Sequence, residues 1–279
     1  MYFSNSPNIS ILINYIDTSL ISTILNRYSI QSSIKDQTMT NKFNPNGRII
    51  WEGLSPIDNA PIVLIATGLG SSKSSNPKTG HMVQTWILRQ DIKPNEGHKD
   101  GSNRSVCGNC PHAGFNNNSC YVKWFQAPLS VWKCYKRGGY KHLSNEDLSL
   151  FDGVALRLGS AGDPAMIPLE VWQKLLTNVR SHTGYTHQWR EAWGQAYKGI
   201  CQASCDGMRD YIEASSHGWK CFSVKHKDTK APKGSINCPA SIEQGQRTTC
   251  SDCSLCDGNT SNIFINAHGS TSKRVAVEV

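Results

Sequence analysis

The chain has 279 residues, 38% of them hydrophobic, which places it among globular proteins with one large packed domain or two small ones. Lysine and arginine outnumber aspartate and glutamate by 29 to 21, and the formal charge of +8 suits a negatively charged partner such as a nucleic acid or a phosphorylated metabolite. Eleven cysteines is an odd number, so complete internal disulfide pairing is excluded and a reducing compartment, the cytoplasm, is expected.

Residues 1–46 read as an N-terminal extension and linker. The apolar stretch 9–25 is interrupted by Asn14 and Asp17, follows no basic region and precedes no small-residue cleavage site, so neither a secretion signal nor a membrane span is expected. Leu12, Ile16 and Leu20 have the spacing of an amphipathic helix. Met39 offers an alternative start, and the polar run 31–46 separates this part from the body, so the extension is expected to be dispensable.

The body, 47–236, begins with the β-branched run 61–67, the mark of a buried strand, and 82–88 reads as a second strand that pairs with it as a hairpin-like element. The glycine-serine segment 68–73 between them lacks the Gly-x4-Gly-Lys-Ser/Thr pattern of a phosphate loop and is read as an ordinary loop. A first cysteine set follows in glycine- and asparagine-rich sequence: Cys107, Cys110 and Cys120, with His112 nearby as a candidate fourth ligand. Three thiols and a histidine fit a Cys3His zinc site, and three thiols alone fit a [4Fe–4S] cluster with one iron left open.

A helix is expected over 124–137, ending at Gly138 and Gly139. Strands then alternate with helices: strand 153–158, helix 168–180, strand 183–187, helix 190–198, strand 200–204, helix 206–217 capped by Asp206, and strand 219–224. This rhythm implies right-handed crossovers and a parallel sheet, open or barrel-like, whose reactive face lies at the carboxyl ends of the strands. Arg157, Asp163, His187 and the Cys205–Asp206 pair fall at those ends. Asp163, His187 and Arg157 are therefore the candidate catalytic residues, with Asp163 equally suited to cap the helix after it. Gly162, Tyr185 and Gln188 are candidates to line a cofactor pocket, with Trp189 beside them. Cys134 and Cys221 sit in apolar surroundings and read as packing residues; Cys205 is a better candidate for a ligand thiol than Cys201, with burial the default for a free cysteine.

The C-terminal segment 237–279 carries a second set, Cys238-x11-Cys250-x2-Cys253-x2-Cys256. Four thiols with this spacing fit zinc or an iron–sulfur cluster, and the Cys-x2-Cys-x2-Cys run favours the cluster because zinc more often uses two separated Cys-x2-Cys knuckles.

The block 154–163 (Val-Ala-Leu-Arg-Leu-Gly-Ser-Ala-Gly-Asp), Tyr185-Thr186, the early Cys107/Cys110/Cys120-Tyr121 set and the terminal cysteines together resemble a group of uncharacterised, cysteine-rich proteins of bacteriophages and related mobile elements, themselves similar to degenerate radical S-adenosylmethionine barrels. The resemblance covers about residues 105–258 by motif order and implies an α/β fold, a partial (β/α) TIM-like barrel, with metal bound by both cysteine sets. The Cys-x2-Cys-x9-Cys spacing departs from the Cys-x3-Cys-x2-Cys of radical S-adenosylmethionine enzymes, which puts cleavage of that cofactor in doubt. The leading expectation is a cytoplasmic iron–sulfur protein, of a bacterial host if phage-borne, acting as a radical or redox enzyme on a nucleotide or nucleic acid. The alternative is a zinc-stabilised nucleic-acid-binding or interaction protein without catalysis, which would contact phosphate through the lysine-rich segment 220–233.

Overall fold

The structure, a computed structural model, describes residues 43–70, 76–116, 118–226 and 229–267. The helix expected at 9–25, the alternative start Met39 and the 71–73 part of the glycine-serine loop lie outside these residues. The described residues all belong to one compact unit.

The fold is mixed α/β, with two sheets whose strands are mostly parallel. The first has the order β4-β1-β2-β3-β5-β6, built from β1 (Gly47–Leu54), β2 (Pro61–Thr67), β3 (Met82–Arg89), β4 (Lys141–His142), β5 (Ala155–Ala161) and β6 (Ser181–Thr183). The second has the order β10-β11-β9-β8-β7, built from β7 (Tyr185–Thr186), β8 (Gln202–Cys205), β9 (Cys221–Lys225), β10 (Ser235–Asn237) and β11 (Asn262–Asn266). Only the β1–β2 and β2–β3 pairings are antiparallel among the described residues, and the second of these is the expected hairpin-like element. The strand expected over 183–187 is divided at Gly184 into β6, which pairs with β5, and β7, which pairs with β8. Gly184 is required there because a Cβ would lie 2.8 Å from the Cys201 Sγ and the Ile200 carbonyl.

The helices are α1 (Pro94–Asp100), α2 (Arg104–Cys107), α3 (Ala127–Lys136), α4 (Leu169–Leu176), α5 (Met208–Ser216) and α6 (Cys250–Cys253). None among the described residues is long and apolar enough to cross a membrane. In α4 the three-residue spacing of Trp172 and Leu175 buries one face against the core, and the Trp172 indole N–H donates to the Pro164 carbonyl at 2.9 Å. The expected stop of α3 is present: Gly138 takes a left-handed φ of 67°, and the Gly139 N–H returns to the Cys134 carbonyl at 2.9 Å.

The core is one large cluster centred on β2, where Ile62, Val63, Leu64, Ile65 and Ala66 are all fully buried. Each of the four larger side chains contributes about 1.5–3 kcal/mol by leaving water. Cys201, Cys205 and Cys221 belong to this core, and Cys205 is therefore a packing residue rather than a ligand thiol.

Two expectations are corrected. Residues 190–198 form no α-helix; they make 3-10 turns at Gln188–Arg190 and Trp193–Tyr197. Gly194 lies so close to the Gln188 carbonyl that a Cβ would be 1.9 Å from its oxygen, which holds the segment in a tight coil. Asp206 does not cap α5. Gly207 occupies the cap position, and the Asp206 carboxylate turns to two histidines instead. In the C-terminal segment β11 lies between β9 and β10, and residues 236 and 237, between which the expected boundary falls, both belong to β10.

Candidate functional site

Side chains alternate along a strand, so every second residue shares a face. That rule builds the wall of a cavity of about 320 Å³: Arg157, Gly159 and Ala161 from β5, Thr183 and Tyr185 with His187 beyond them, Ser204 and Asp206 at the end of β8, Phe222 and Val224 from β9, and Ile265 from β11. The loop after α2 covers it with Cys107, Cys110, His112 and Cys120, and Lys78, Thr79 and Cys250 close another side. The volume is that of a small-molecule pocket.

The first cysteine set is gathered here. Burial pushes the Cys107 thiol well above its ordinary value, and the neighbouring Cys110 and Cys120 thiols add to the effect. Cys120 is also raised by burial. The second set, Cys238, Cys250, Cys253 and Cys256, lines a smaller adjoining cavity of about 30 Å³. Burial raises Cys256 most, and the other three thiols of its set raise it further. Cys250 and Tyr185 face both cavities, so the two sets flank a common space. Among the described residues no three cysteine sulfurs lie within 4.8 Å of one another. A single zinc with Zn–S bonds of about 2.3 Å draws its sulfurs to about 3.8 Å, so each set is more open than a zinc tetrahedron.

A buried scaffold fixes the first set. Asp163, 6% exposed, accepts from the Ala165 N–H at 3.0 Å through Oδ1, and from the His187 N–H at 2.8 Å and Gln188 Nε2 at 3.1 Å through Oδ2. Gln188 is fully buried; its Nε2 also donates to the Cys107 carbonyl at 3.2 Å, and its Oε1 accepts from the Asn109 N–H at 3.2 Å. The structure thus brings Asp163, His187, Gln188 and the cysteine loop together, but gives Asp163 and Gln188 structural partners. Gln188 is a peg behind the wall and does not line the cofactor pocket expected of it. Gly162 lines the cavity with φ of 82°, and a Cβ there would lie 2.7 Å from Ile87 Cβ and 2.8 Å from the Ile87 carbonyl oxygen, so close backbone packing requires the glycine. Trp189, also expected at the pocket, is buried and stacks under the Arg190 guanidinium, 3.8 Å from its ring centroid.

Arg157, His187 and Asp206 bring ionisable side chains to the cavity wall. Arg157 donates from Nη2 to the Tyr121 hydroxyl at 2.8 Å, while its Nε is buried without a hydrogen-bond partner. Burial opposes its charge, but Tyr121, Tyr185 and Cys250 outweigh that and hold the guanidinium cationic. His187 and Asp206 form a pair at 3.2 Å. Burial pulls the His187 ring down, yet the Cys110 thiol and the Asp206 carboxylate raise it well above its ordinary value. Burial likewise pushes Asp206 up, and His187 and His112 overcome it, leaving the carboxyl well below the usual range. The residues underweighted by sequence are Asp206 and Tyr121. Asp206 directly follows a strand and Tyr121 directly follows Cys120, the two signals that mark them.

No protein-family model, curated protein or solved structure matches the chain.

Proposed function

We propose that the protein is a metal-dependent redox enzyme acting on a small anionic substrate of nucleotide size. It would be built on a partial (β/α) barrel, with one iron–sulfur cluster on Cys107, Cys110 and Cys120 and a second on Cys238, Cys250, Cys253 and Cys256. The observation that carries this reading is that the first cysteine set lines the larger cavity, the second lines the one adjoining it, and Cys250 borders both. Two structural zinc ions have no need of adjoining cavities, and the tight Cys-x2-Cys-x2-Cys run of the second set favours a cluster over zinc. Bound clusters would supply one-electron transfer. Arg157 and Lys78 would neutralise a phosphate or carboxylate of the substrate, and Tyr121 would orient the Arg157 guanidinium.

Three thiols without a fourth cysteine leave one iron of the first cluster open, so S-adenosylmethionine is a candidate ligand beside the substrate. The resemblance to phage and mobile-element proteins of the radical S-adenosylmethionine type belongs to the same proposal, as does the cytoplasm, whose reducing conditions suit eleven cysteines that are all free. A cavity of about 320 Å³ is of a size for a nucleotide or a single extruded base rather than a duplex. The rival nucleic-acid module draws little support from the basic segment, because the Lys225 ammonium is tied to the Thr229 carbonyl at 2.8 Å and the His226 carbonyl at 3.3 Å.

The deciding experiment is iron and acid-labile sulfide content, with a visible spectrum, on protein purified without oxygen and on Cys107→Ala. About eight irons and eight sulfides per chain, halved in the variant, is the expected result for two four-iron clusters. About one or two zinc ions per chain with no sulfide rejects the redox reading.

A further inference from the structure

His112, His187 and Asp206 come from three separate segments: the loop after α2, the residue after β7 and the residue after β8. Among the described residues they are the one set of three metal-ligating side chains whose donor atoms all lie within 4.8 Å of one another. Asp206 Oδ1 is 2.6 Å from His112 Nε2, and Asp206 Oδ2 is 3.2 Å from His187 Nε2. Metal–nitrogen and metal–oxygen bonds of about 2.0–2.2 Å set neighbouring ligand atoms about 2.9–3.5 Å apart; the His187–Asp206 separation is in that range, and the shorter His112–Asp206 hydrogen bond would open by a few tenths of an ångström to admit the ion.

The surroundings match those of ligand histidines. A ligating imidazole is held by a hydrogen bond at its other nitrogen, which fixes the tautomer and turns the ring to the ion. His112 Nδ1 meets the Ser119 Oγ at 2.5 Å, so Nε2 is the nitrogen presented to the centre of the group. The backbone of His187 is anchored on Asp163 Oδ2 at 2.8 Å. The two rings meet edge to face with centroids 5.7 Å apart, both directing Nε2 at one carboxylate. All three side chains are largely shielded, with exposures of 17%, 18% and 22%, and all three open onto the cavity.

We propose that His112, His187 and Asp206 bind one divalent transition-metal ion, iron(II) or zinc, through two imidazoles and a carboxylate. Nitrogen-rich donors select this class over magnesium and calcium, which prefer all-oxygen shells. Three protein ligands leave the ion's remaining positions free for a ligand in the cavity, whose lining also includes the Arg157 guanidinium. A ligand with an anionic or other oxygen donor group therefore finds both a metal and a guanidinium in the same cavity. The three ligands include no cysteine, although the Cys110 thiol neighbours His187.

Cobalt(II) is the probe, titrated without oxygen into the full chain and followed by calorimetry and visible absorption, on wild type, Asp206→Asn, His112→Gln and Cys110→Ser, with near-ultraviolet circular dichroism reporting the fold. The expected result is one cobalt per chain with weak ligand-field bands free of sulfur charge transfer. Its affinity should fall about 100-fold or more in Asp206→Asn and His112→Gln, beyond the loss typical of changes to supporting residues, while Cys110→Ser, whose thiol neighbours His187, keeps the stoichiometry of one cobalt per chain. Wild-type protein that binds cobalt only with intense sulfur charge transfer, lost in Cys110→Ser, would assign the ion to the thiol set and overturn the proposal. So would wild-type protein that binds no cobalt, or either folded histidine or aspartate variant that binds it unchanged, since the trio would then be a hydrogen-bonded cluster alone. Loss of the iron–sulfur reading shows in iron and sulfide content and leaves these outcomes untouched.

Discussion

Asp163 Oδ2 accepts the backbone N–H of His187 at 2.8 Å, joining the end of β5 to the end of β7 across 24 residues of chain. The same carboxylate takes Gln188 Nε2 and, through its other oxygen, the Ala165 N–H. Replacing Asp163 with alanine strands three donors in a site that is 6% exposed. Each buried unsatisfied donor costs about 1–3 kcal/mol. Asp163→Ala is expected to lose about 3 kcal/mol or more in denaturant titration and to expose Cys107 to alkylation faster. An unchanged denaturation midpoint with lost turnover would instead mark Asp163 as acting directly on substrate.

Gly162 provides a second test of the same junction. Its φ of 82° is left-handed, and a Cβ would press on the Ile87 backbone oxygen at 2.8 Å and the Val106 oxygen at 3.1 Å. These contacts are backbone, so no side chain can move aside. Gly162→Ala is expected to destabilise by about 2–5 kcal/mol, combining the left-handed penalty with overpacking. Thermal unfolding checks it, and a loss below about 1 kcal/mol would contradict the close approach.

The strand at 61–67 was legible because a continuous β-branched run has few alternatives. β1 was not. Its register shifts between Ile49 and Trp51, and that irregularity breaks the alternation by which a strand is read. Asp163 and Asp206 show the limit most directly. Both follow a strand and precede a helix; Asp163 caps the turn after it, whereas Asp206 leaves its helix to Gly207 and faces His112 and His187. The choice depends on which partners the loop after α2 brings across the cavity, a long-range fact absent from local spacing. The adjoining cavities were equally hidden, because they require β11 to insert between β9 and β10.

Acid should act on the Arg48–Asp147 pair, which ties β1 to the 3-10 helix Glu146–Phe151 at 3.0 Å. The hydrogen bond from Arg48 lowers the Asp147 carboxyl from 3.8 to about 2, aided by the Ser144 N–H. The folded state therefore binds fewer protons than the unfolded state between these values. The contribution of the pair is complete above about pH 4 and disappears as pH falls through about 2. Partial exposure limits it to about 1 kcal/mol. Arg48→Gln should be less stable than wild type by that amount at pH 6, with the gap closing by pH 2. A gap independent of pH would mean that Arg48 acts through packing alone.

The C-terminal cysteines should control a local clasp. The Cys250 N–H donates to the Lys78 carbonyl at 2.8 Å and the Ser251 N–H to the Thr79 carbonyl at 3.1 Å, while Arg180 Nη2 reaches the Ser251 carbonyl at 3.2 Å. These bonds attach α6, a single turn of four residues, to the segment before β3. So short a helix has little stability of its own, and ligation of Cys250 and Cys253 to a common group would supply the missing constraint. Cys253→Ala, or removal of bound metal by a chelator, is expected to raise amide exchange at residues 249–256 and 76–80 by at least tenfold. β2, whose side chains are fully buried, should keep its protection. Hydrogen exchange read by mass spectrometry separates the outcomes. Uniform loss across β2 would make the clasp part of the global fold, and no change at 249–256 would show that the four thiols hold nothing that the backbone bonds do not already hold.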